Sequence, residues 1–337
     1  MSYFIFGGTG FIGTHLTNLL HEVHPEAKIY NLDIIEPGTP LPTVKNYKPA
    51  LRKGEEHAAT FIYCDVRQPI ELEKVNITPD DVIFNFAAVH RTPGHPDPAY
   101  FETNIRGAEN VCAFAERHGI RKIVFTSSIA PYGAAEELKE ETTLPTPNTP
   151  YGISKLVAEK IHVAWQAGSP ERQLTIVRPG VVFGRGENGN FTRLYWGIRG
   201  HKFMYPGRKD TIKACIYVKE LVRFMLYRLE HHDSGVELYN CCYEPAYTIE
   251  HIVESMKRVT NMKVKVPFMP GWLIMTAAGI AGALGSPMGI CPARVRKLQI
   301  STNICGKKLA ASGYRFRYTF EEALADWYKD NGNLYLQ

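Results

Sequence analysis

Short apolar runs alternate with longer segments of helical spacing over the first half of the chain. The apolar runs predict strands at 3–6, 28–32, 60–64, 82–86, 122–126 and 174–177. Between them, 11–23 and 100–118 place apolar residues three and four positions apart, which predicts helices, and Gly119 ends the second one. Strand–helix alternation on this scale predicts an α/β fold with a doubly wound parallel sheet and right-handed crossovers.

The second half is less regular and richer in glycine, aromatic and basic residues. Strand-like runs recur at 214–218 and 236–241, each followed by a helical segment, and a last amphipathic helix is expected at 320–329. These returning pieces predict that the chain passes more than once between the sheet and a smaller, interleaved C-terminal region.

The composition is that of an ordinary globular protein, and it narrows the class of partner. The 337 residues carry a formal net charge of +5. Because the basic residues are spread along the chain and form no stripe, no nucleic-acid partner is expected. The seven scattered cysteines favour reduced thiols in a cytoplasmic protein and lack the spacing of a metal site, so no metal is expected.

One long segment, 266–293, contains no charged residue. Prolines and glycines interrupt it, and its best helical stretch, 272–284, would rise only about 20 Å, whereas a bilayer core is about 30 Å thick. We therefore expect no transmembrane span. The segment is expected to form a buried helix or an apolar lid over a substrate site, with contact to a membrane surface as the alternative.

A glycine-rich turn joins the first predicted strand to the first helix. It reads Gly7-Gly8-Thr9-Gly10-Phe11-Ile12-Gly13. Glycines let the backbone approach a pyrophosphate, and the N–H groups at the start of the helix face the anion. Asp33 follows at the end of the second strand, where a carboxylate accepts hydrogen bonds from ribose hydroxyls and repels a 2′-phosphate. The pattern predicts a Rossmann domain that binds NAD.

Tyr151 and Lys155 are one helical turn apart on a single helix face. A phenol with a pKa near 10 is a poor base at neutral pH, but a nearby ammonium and the positive nicotinamide ring favour its phenolate. Ser128 follows the fifth strand, at the sheet edge where ligands bind in folds of this type, and its hydroxyl can orient a substrate hydroxyl. We predict that Tyr151, Lys155 and Ser128 are catalytic, and prefer Ser128 over Ser127.

With these motifs the chain resembles the extended short-chain dehydrogenases/reductases, and in particular their NAD-dependent epimerase/dehydratase branch. The resemblance covers nearly the whole chain and rests on further motifs: Asp65-Val66, Asn85-Phe86-Ala87-Ala88, Asn104-Ile105-Arg106-Gly107 and Arg178-Pro179-Gly180-Val181-Val182-Phe183-Gly184. It implies cofactor contacts for Asp65, Val66, Phe86, Ala87, Ala88, His90, Asn104 and Pro179. Asp65 and Val66 would flank the adenine, whereas His90 replaces a lysine that relatives place near the nicotinamide ribose.

The resemblance also implies a substrate and an assembly. A nucleotide-diphosphate sugar would contact Ser128, Asn190, Lys213, Arg294 and Arg296, since basic side chains suit a diphosphate. Lys213 replaces an arginine, and with the apolar 272–284 stretch it keeps open the sterol- and flavonoid-reducing branches of the family. Segments 100–118 and 151–167 would form the four-helix contact of a homodimer.

The same motifs divide the chain into two regions. Residues 1–177 are expected to form the NAD-binding domain, joined by pieces near 214–230 and 236–242. Residues 178–337 would form mainly the substrate-binding region.

The two residues after Ser128 narrow the reaction class. Dehydratases of the family carry an Asp-Glu pair where this chain has Ile129 and Ala130, and decarboxylating relatives carry a Glu at the place of Ile129. The expected activity is therefore a nucleotide-sugar epimerase, at C4, that oxidises its substrate transiently with bound NAD. An NAD-dependent hydroxysteroid-like or keto-sugar dehydrogenase and a catalytically silent NAD-binding scaffold remain as alternatives.

Overall fold

The computed structural model describes residues 1–40, 47–52, 54–90, 94–233, 235–273, 276 and 299–337. In chain order its strands are β1 Ser2–Phe6, β2 Lys28–Asp33, β3 Thr60–Tyr63, β4 Val82–Asn85, β5 Lys122–Thr126, β6 Ala135–Lys139, β7 Gln173–Pro179, β8 Val181–Phe183, β9 Tyr205–Pro206, β10 Ile212–Lys213, β11 Cys215–Tyr217, β12 Val236–Cys241, β13 Tyr247–Thr248, β14 Phe268–Met269 and β15 Thr302–Ile304. The helices are α1 Phe11–Val23, α2 Asp97–Arg117, α3 Pro150–Ala167, α4 Asn190–Arg199, α5 Val218–Glu230, α6 Ile249–Val259, α7 Lys307–Ala311 and α8 Phe320–Asp330. A 3₁₀ turn spans Ala130–Tyr132.

A parallel sheet in the order β12-β7-β5-β4-β1-β2-β3 forms the centre of the fold. Every residue of β1 and β4 is buried, as expected for strands covered by helices on both faces. The predicted doubly wound α/β fold is confirmed. Because all these strands run the same way, their carboxyl ends meet at one edge, which we call the carboxyl edge.

Two apolar layers cover the faces of this sheet. On one face Leu16 and Leu20 of α1 and Leu221 and Met225 of α5 pack together on the sheet. On the other face the layer includes α2 and α3, through residues such as Val111, Phe114, Ala158 and Trp165. The helical spacing predicted for 11–23 and 100–118 is confirmed, although α2 begins earlier, at Asp97, after Pro96.

The C-terminal half adds the helix α5 and one strand to the main sheet, and it also builds smaller sheets. The strand predicted at 236–241 is β12, which pairs with β7. The run at 214–218 contains β11, which pairs with β8 outside the main sheet. A second sheet has the order β13-β10-β15-β6, and a third apolar cluster joins Phe183 and Tyr217 to Ile252, Phe320 and Trp327.

The structure describes only part of the uncharged segment 266–293. Within the described ranges no helix has the length and apolar character that a membrane crossing requires. Trp272 and Leu273 are 71% and 41% exposed, so the expected burial does not hold for these two side chains. The rest of the predicted 272–284 helix, apart from Thr276, lies outside the described residues.

Candidate active site

The turn between β1 and α1 has no room for side chains. A Cβ on Gly13 would lie 2.5 Å from the Cα of Gly8, and one on Gly7, whose φ is +78°, would lie 2.7 Å from the nitrogen of Ala87. Gly10 precedes α1, and no side chain caps this helix end. The first N–H groups of α1 and the adjoining backbone therefore form a bare cradle for an anionic group, which fits the pyrophosphate of a dinucleotide.

Asp33 ends β2 beside this cradle. Its Oδ2 accepts a hydrogen bond from the N–H of Thr9 at 3.1 Å, and its Oδ1 accepts one from the N–H of Ile35 at 3.2 Å. Burial raises the pKa of Asp33, while these N–H groups act in the opposite direction. The carboxylate is thus fixed by the glycine turn itself, as a ribose-binding group would need to be.

Asp65 and Val66 follow β3 at the neighbouring position of the carboxyl edge. The Asp65 carboxylate pairs with Arg67, with 2.6 Å between Oδ2 and Nη2, and this pairing lowers the pKa of Asp65. Val66 is buried, and a Cβ on Gly107 would come within 2.9 Å of its side chain. This close approach gives a packing reason for the glycine in α2.

The segment after β4 lies against the glycine turn. The N–H of Phe86 donates to the carbonyl of Phe6 at 2.8 Å. Asn104 of α2 clamps Val89: its Oδ1 accepts from the Val89 N–H at 2.8 Å, and its Nδ2 donates to the Val89 carbonyl at 3.0 Å. Asn104 therefore fixes the backbone of this segment, and its predicted part at the cofactor site stays a prediction. His90 is exposed at its end.

Tyr151 and Ser128 are brought together by the start of α3. Thr149 caps the helix, accepting from the N–H of Gly152 at 3.1 Å. A Cβ on Gly152 would lie 2.7 Å from the carbonyl oxygen of Ala130, so only glycine lets α3 approach the turn that follows Ser128 this closely. Tyr151 and Ser128 are hydrogen-bonded. Pro179, at the end of β7, accepts from the N–H of Ile129 at 3.2 Å beside them.

The protein's own groups do not lower the pKa of Tyr151. Burial raises it to about 12, and the hydrogen bond with Ser128 offsets only part of this shift. The physical reason is that burial penalises the phenolate more than the nearby polar groups stabilise it. The prediction that the ammonium and the nicotinamide ring together favour the phenolate stays a prediction, because only the ammonium belongs to the chain.

Lys155 is itself buried and only weakly held in its charged form. Its exposed fraction is 2%, and its Nζ lies 4.3 Å from the centre of the Phe125 ring. Burial lowers the pKa of Lys155 to about 7, and the charge of Glu159 acts against this shift. At neutral pH the protonation of Lys155 therefore depends on its surroundings, in particular on the charge of Glu159.

Sequence reasoning missed the polar layer beneath these residues. Glu159, one turn beyond Lys155 on the same face of α3, pairs with Arg178 and accepts from Ser127. The spacing of Tyr151, Lys155 and Glu159, four residues each, was the available signal in the sequence.

The proposed substrate residues are less closely defined. Asn190 begins α4, is exposed, and accepts from Arg193 at 2.7 Å. Lys213 lies in β10, and its Nζ donates to the carbonyl of Ile300 at 2.7 Å; burial lowers its pKa to about 8. Among the described residues, no contact joins Asn190 or Lys213 to Tyr151. Arg294 and Arg296 lie outside the described residues.

Three features together are typical of the extended short-chain dehydrogenases/reductases. They are the glycine turn before α1, the acid that ends β2, and the Tyr-x-x-x-Lys pattern on a helix that faces a serine. Comparison with known proteins identifies the family within that class. Residues 3–242 match the NAD dependent epimerase/dehydratase family, and the chain belongs to it. The expected NAD-dependent epimerase enzyme and its cofactor are thereby confirmed at the level of the family.

Individual relatives agree with this assignment. The chain is 31% identical over 327 residues to the N-acetyl-α-D-glucosaminyl-diphospho-ditrans,octacis-undecaprenol 4-epimerase of Escherichia coli O157:H7, covering 95% of this chain and 92% of the relative. It is 31% identical over 302 residues to the UDP-glucose 4-epimerase of Lacticaseibacillus casei, covering 80% and 85%. Both of these relatives are named as 4-epimerases of sugars that carry a diphosphate.

Solved structures show the same fold. The UDP-glucuronic acid 4-epimerase from Bacillus cereus in complex with NAD aligns with a TM-score of 0.73 at 18% identity, covering 99% of this chain and 100% of that one. The UDP-N-acetylglucosamine 4-epimerase from Methanobrevibacter ruminantium aligns with a TM-score of 0.73 at 21% identity, covering 98% of both chains.

Proposed function

We propose that this protein interconverts the two C4 configurations of a sugar linked to a diphosphate, with a nucleotide sugar as the substrate and Tyr151 as the acid/base. The observation that carries the proposal is the hydrogen-bonded pair of Tyr151 and Ser128 at the carboxyl edge, with Lys155 one turn along α3. The absence of acid side chains at Ile129 and Ala130 supports epimerisation over dehydration.

Each residue has a distinct proposed part. Bound NAD supplies the hydride acceptor and donor. Tyr151 takes the proton from the C4 hydroxyl and returns it, Ser128 holds the same oxygen by a hydrogen bond, and Lys155 stabilises the phenolate by its charge. Because burial raises the pKa of Tyr151 to about 12 despite the hydrogen bond with Ser128, we propose that the phenolate forms only when cofactor and protonated Lys155 are both present.

The remaining predicted residues divide between the two ligands. Residues 1–177 would hold NAD through the glycine turn and Asp33, with the other contacts named above. Residues 178–337 would form most of the substrate site, with Asn190, Lys213, Arg294 and Arg296 near the diphosphate.

The test is epimerisation by Tyr151→Phe. Its product formation should fall at least about 1000-fold while NAD binding stays within about twofold, because only the transferable proton is lost. Product is measured by NMR, with UDP-N-acetylglucosamine, UDP-glucose and UDP-glucuronic acid as substrates. Tyr205→Phe is a matched control, since it removes a buried hydroxyl that has no hydrogen-bond partner among the described residues. Unchanged turnover in Tyr151→Phe would end the proposed mechanism.

A second substrate class is favoured by the surface beside β14. Phe268, Trp272 and Leu273, all within the uncharged 266–293 segment, are exposed by 50%, 71% and 41%. A Cβ added to Gly207 would lie 3.0 Å from the Cα of Gly271. The exposed apolar surface is therefore next to Gly207, in the stretch of chain that precedes Lys213. Such a surface suits a lipid-linked sugar, and the E. coli relative acts by its name on an undecaprenol-linked one.

The same assay separates the two classes. Polyprenyl-diphosphate N-acetylglucosamine in detergent micelles is compared with UDP-N-acetylglucosamine at equal concentration. A substrate preference of at least about tenfold decides between them, and net NADH release instead of epimer would indicate the dehydrogenase alternative.

We further propose a cytoplasmic homodimer. The six described cysteines are free and buried, in keeping with a reducing compartment. Ile153 and Val157, one turn apart on α3, are 39% and 36% exposed and offer an apolar surface for a second copy.

A further inference from the structure

A buried ion pair lies beneath Lys155. The Nε of Arg178 donates to Oε1 of Glu159 at 2.8 Å, and Nη2 of Arg178 donates to Oε2 at 2.6 Å. Both side chains are only 4% exposed. The Oγ of Ser127 donates to the same Oε1 at 2.5 Å. Both carboxylate oxygens of Glu159 are therefore occupied by groups from β7 and from the end of β5.

Lys155 does not join this pair, although the helix would allow it. Lys155 and Glu159 are four residues apart on α3, a spacing at which opposite charges normally meet. Both residues are described, yet no ion pair or hydrogen bond forms between them. The Lys155 ammonium instead lies over the Phe125 ring. Glu159 thus acts on Lys155 as a charge, without contact.

We propose that Arg178 and Ser127 are positioning residues, which hold Glu159 so that its charge keeps Lys155 protonated while the ammonium stays unpaired and available to Tyr151. This inference rests on the proposed roles of Tyr151 and Lys155. Without Glu159, burial and the charge of Arg178 would both favour neutral Lys155. With Glu159 released from Arg178 and Ser127, the carboxylate would pair with Lys155 and cancel its field at the phenol.

A second buried ion pair provides a matched control for a purely structural role. Arg228 of α5 and Glu237 of β12 form the same two-point contact, at 3.0 and 2.6 Å, with exposures of 4% and 8%. Glu237 is near the amino end of its strand, at the sheet edge opposite Tyr151. Breaking this pair should cost stability without affecting Tyr151.

The experiment titrates Tyr151 directly and needs no sugar substrate. The ultraviolet absorbance of tyrosinate is followed against pH, with and without NAD, and the curve of the same protein carrying Tyr151→Phe is subtracted. Glu159→Gln and Arg178→Met should each raise the Tyr151 midpoint in the NAD complex by about one pH unit or more, a tenfold loss of phenolate. Ser127→Ala should raise the Tyr151 midpoint by a smaller amount. Ser127→Thr keeps the hydroxyl, so its midpoint should match that of the wild type.

The controls decide between positioning and folding. Glu237→Gln and Arg228→Met should lower the unfolding temperature comparably and leave the Tyr151 midpoint unchanged. If Arg178→Met fails to fold, Glu159→Gln and the Ser127 variants still decide the question. A Tyr151 midpoint within about 0.3 unit of wild type in every folded variant would overturn the proposal. Because the midpoint is read without turnover, a failed epimerase assay leaves this result intact.

Discussion

His162 lies on the inner face of α3, about two turns beyond Lys155, with its ring stacked on Phe125 at 4.0 Å between centroids. Its Nδ1 bonds the carbonyl of Ala158 at 2.7 Å, and its Nε2 is 3.2 Å from Nδ2 of Asn85. A carbonyl only accepts and an amide NH₂ only donates, so the ring is neutral with its proton on Nδ1. Burial lowers the pKa of His162 to about 4.

We predict that His162 makes stability depend on pH in a defined window. Its pKa is lower in the folded protein than the ordinary 6.5, so the unfolded chain binds the proton more readily. The contribution is complete above pH 6.5 and is lost as the pH falls towards about 4, by up to about 3 kcal/mol in the free energy of unfolding. Denaturant unfolding at several pH values measures this.

The matching variant is His162→Gln, which keeps an amide to meet Asn85. Its unfolding free energy should be lower at neutral pH and should vary less between pH 6.5 and 4. Exposed His21→Gln is the control and should retain the wild-type pH dependence. An unaltered slope in His162→Gln would refute the assignment.

At the residue scale, the sequence indicated the candidate catalytic residues but not their electrostatics, that is, their pKa values and ion pairs. The four-residue spacing of Tyr151 and Lys155 and the place of Ser128 after β5 follow from local pattern. The pKa of Tyr151 and the contact of Glu159 with Arg178 do not, because both depend on burial and on a strand distant in sequence. The chemistry of the site is therefore set by tertiary surroundings.

At the element scale, the entry into α1 is tightly constrained by backbone contacts. The Cβ that Gly13→Ala adds would lie 2.5 to 2.7 Å from three backbone atoms of Gly8. Since a backbone turn cannot yield as a flexible side chain can, we predict that α1 is displaced from the turn and that NAD affinity falls at least about tenfold. Isothermal titration with NAD measures the loss.

Gly197→Ala is the control for a glycine inside a helix. Gly197 lies in α4, and its added Cβ would meet only Phe203, with 3.4 Å to its Cβ and 4.0 Å to its nitrogen, so NAD affinity should not change. Circular dichroism establishes that both variants are folded. Equal NAD affinity in Gly13→Ala and wild type would show that this contact does not shape the site.

Elements differ in how far local sequence predicts them. The main-sheet strands were found because buried parallel strands are continuous apolar runs. Strands such as β8 and β10 were not, since they have two or three residues and exist through pairing with distant β11, β13 and β15. The surroundings of Lys213 depend on such pairings, so the local sequence says less about this region than about the glycine turn.

At the scale of the whole molecule, the helical layer of α2 and α3 is covered by the sheet on one side only. Its outer side carries Ile153 and Val157, whose exposure is high for β-branched apolar residues. A second copy related by a two-fold axis would bury this self-complementary surface. The proposed active site begins on the same helix, so pairing of the helices would also steady Tyr151.

We therefore predict that Ile153→Asp together with Val157→Asp yields a monomer, because two buried carboxylates without partners cost more than the contact gains. Light scattering after gel filtration should give half the wild-type mass at micromolar concentration. Leu144→Asp is the control: Leu144 is more exposed, at 79%, but lies outside the helices, so its variant should stay dimeric. A monomeric wild type, or a double variant of unchanged mass, would place any interface elsewhere.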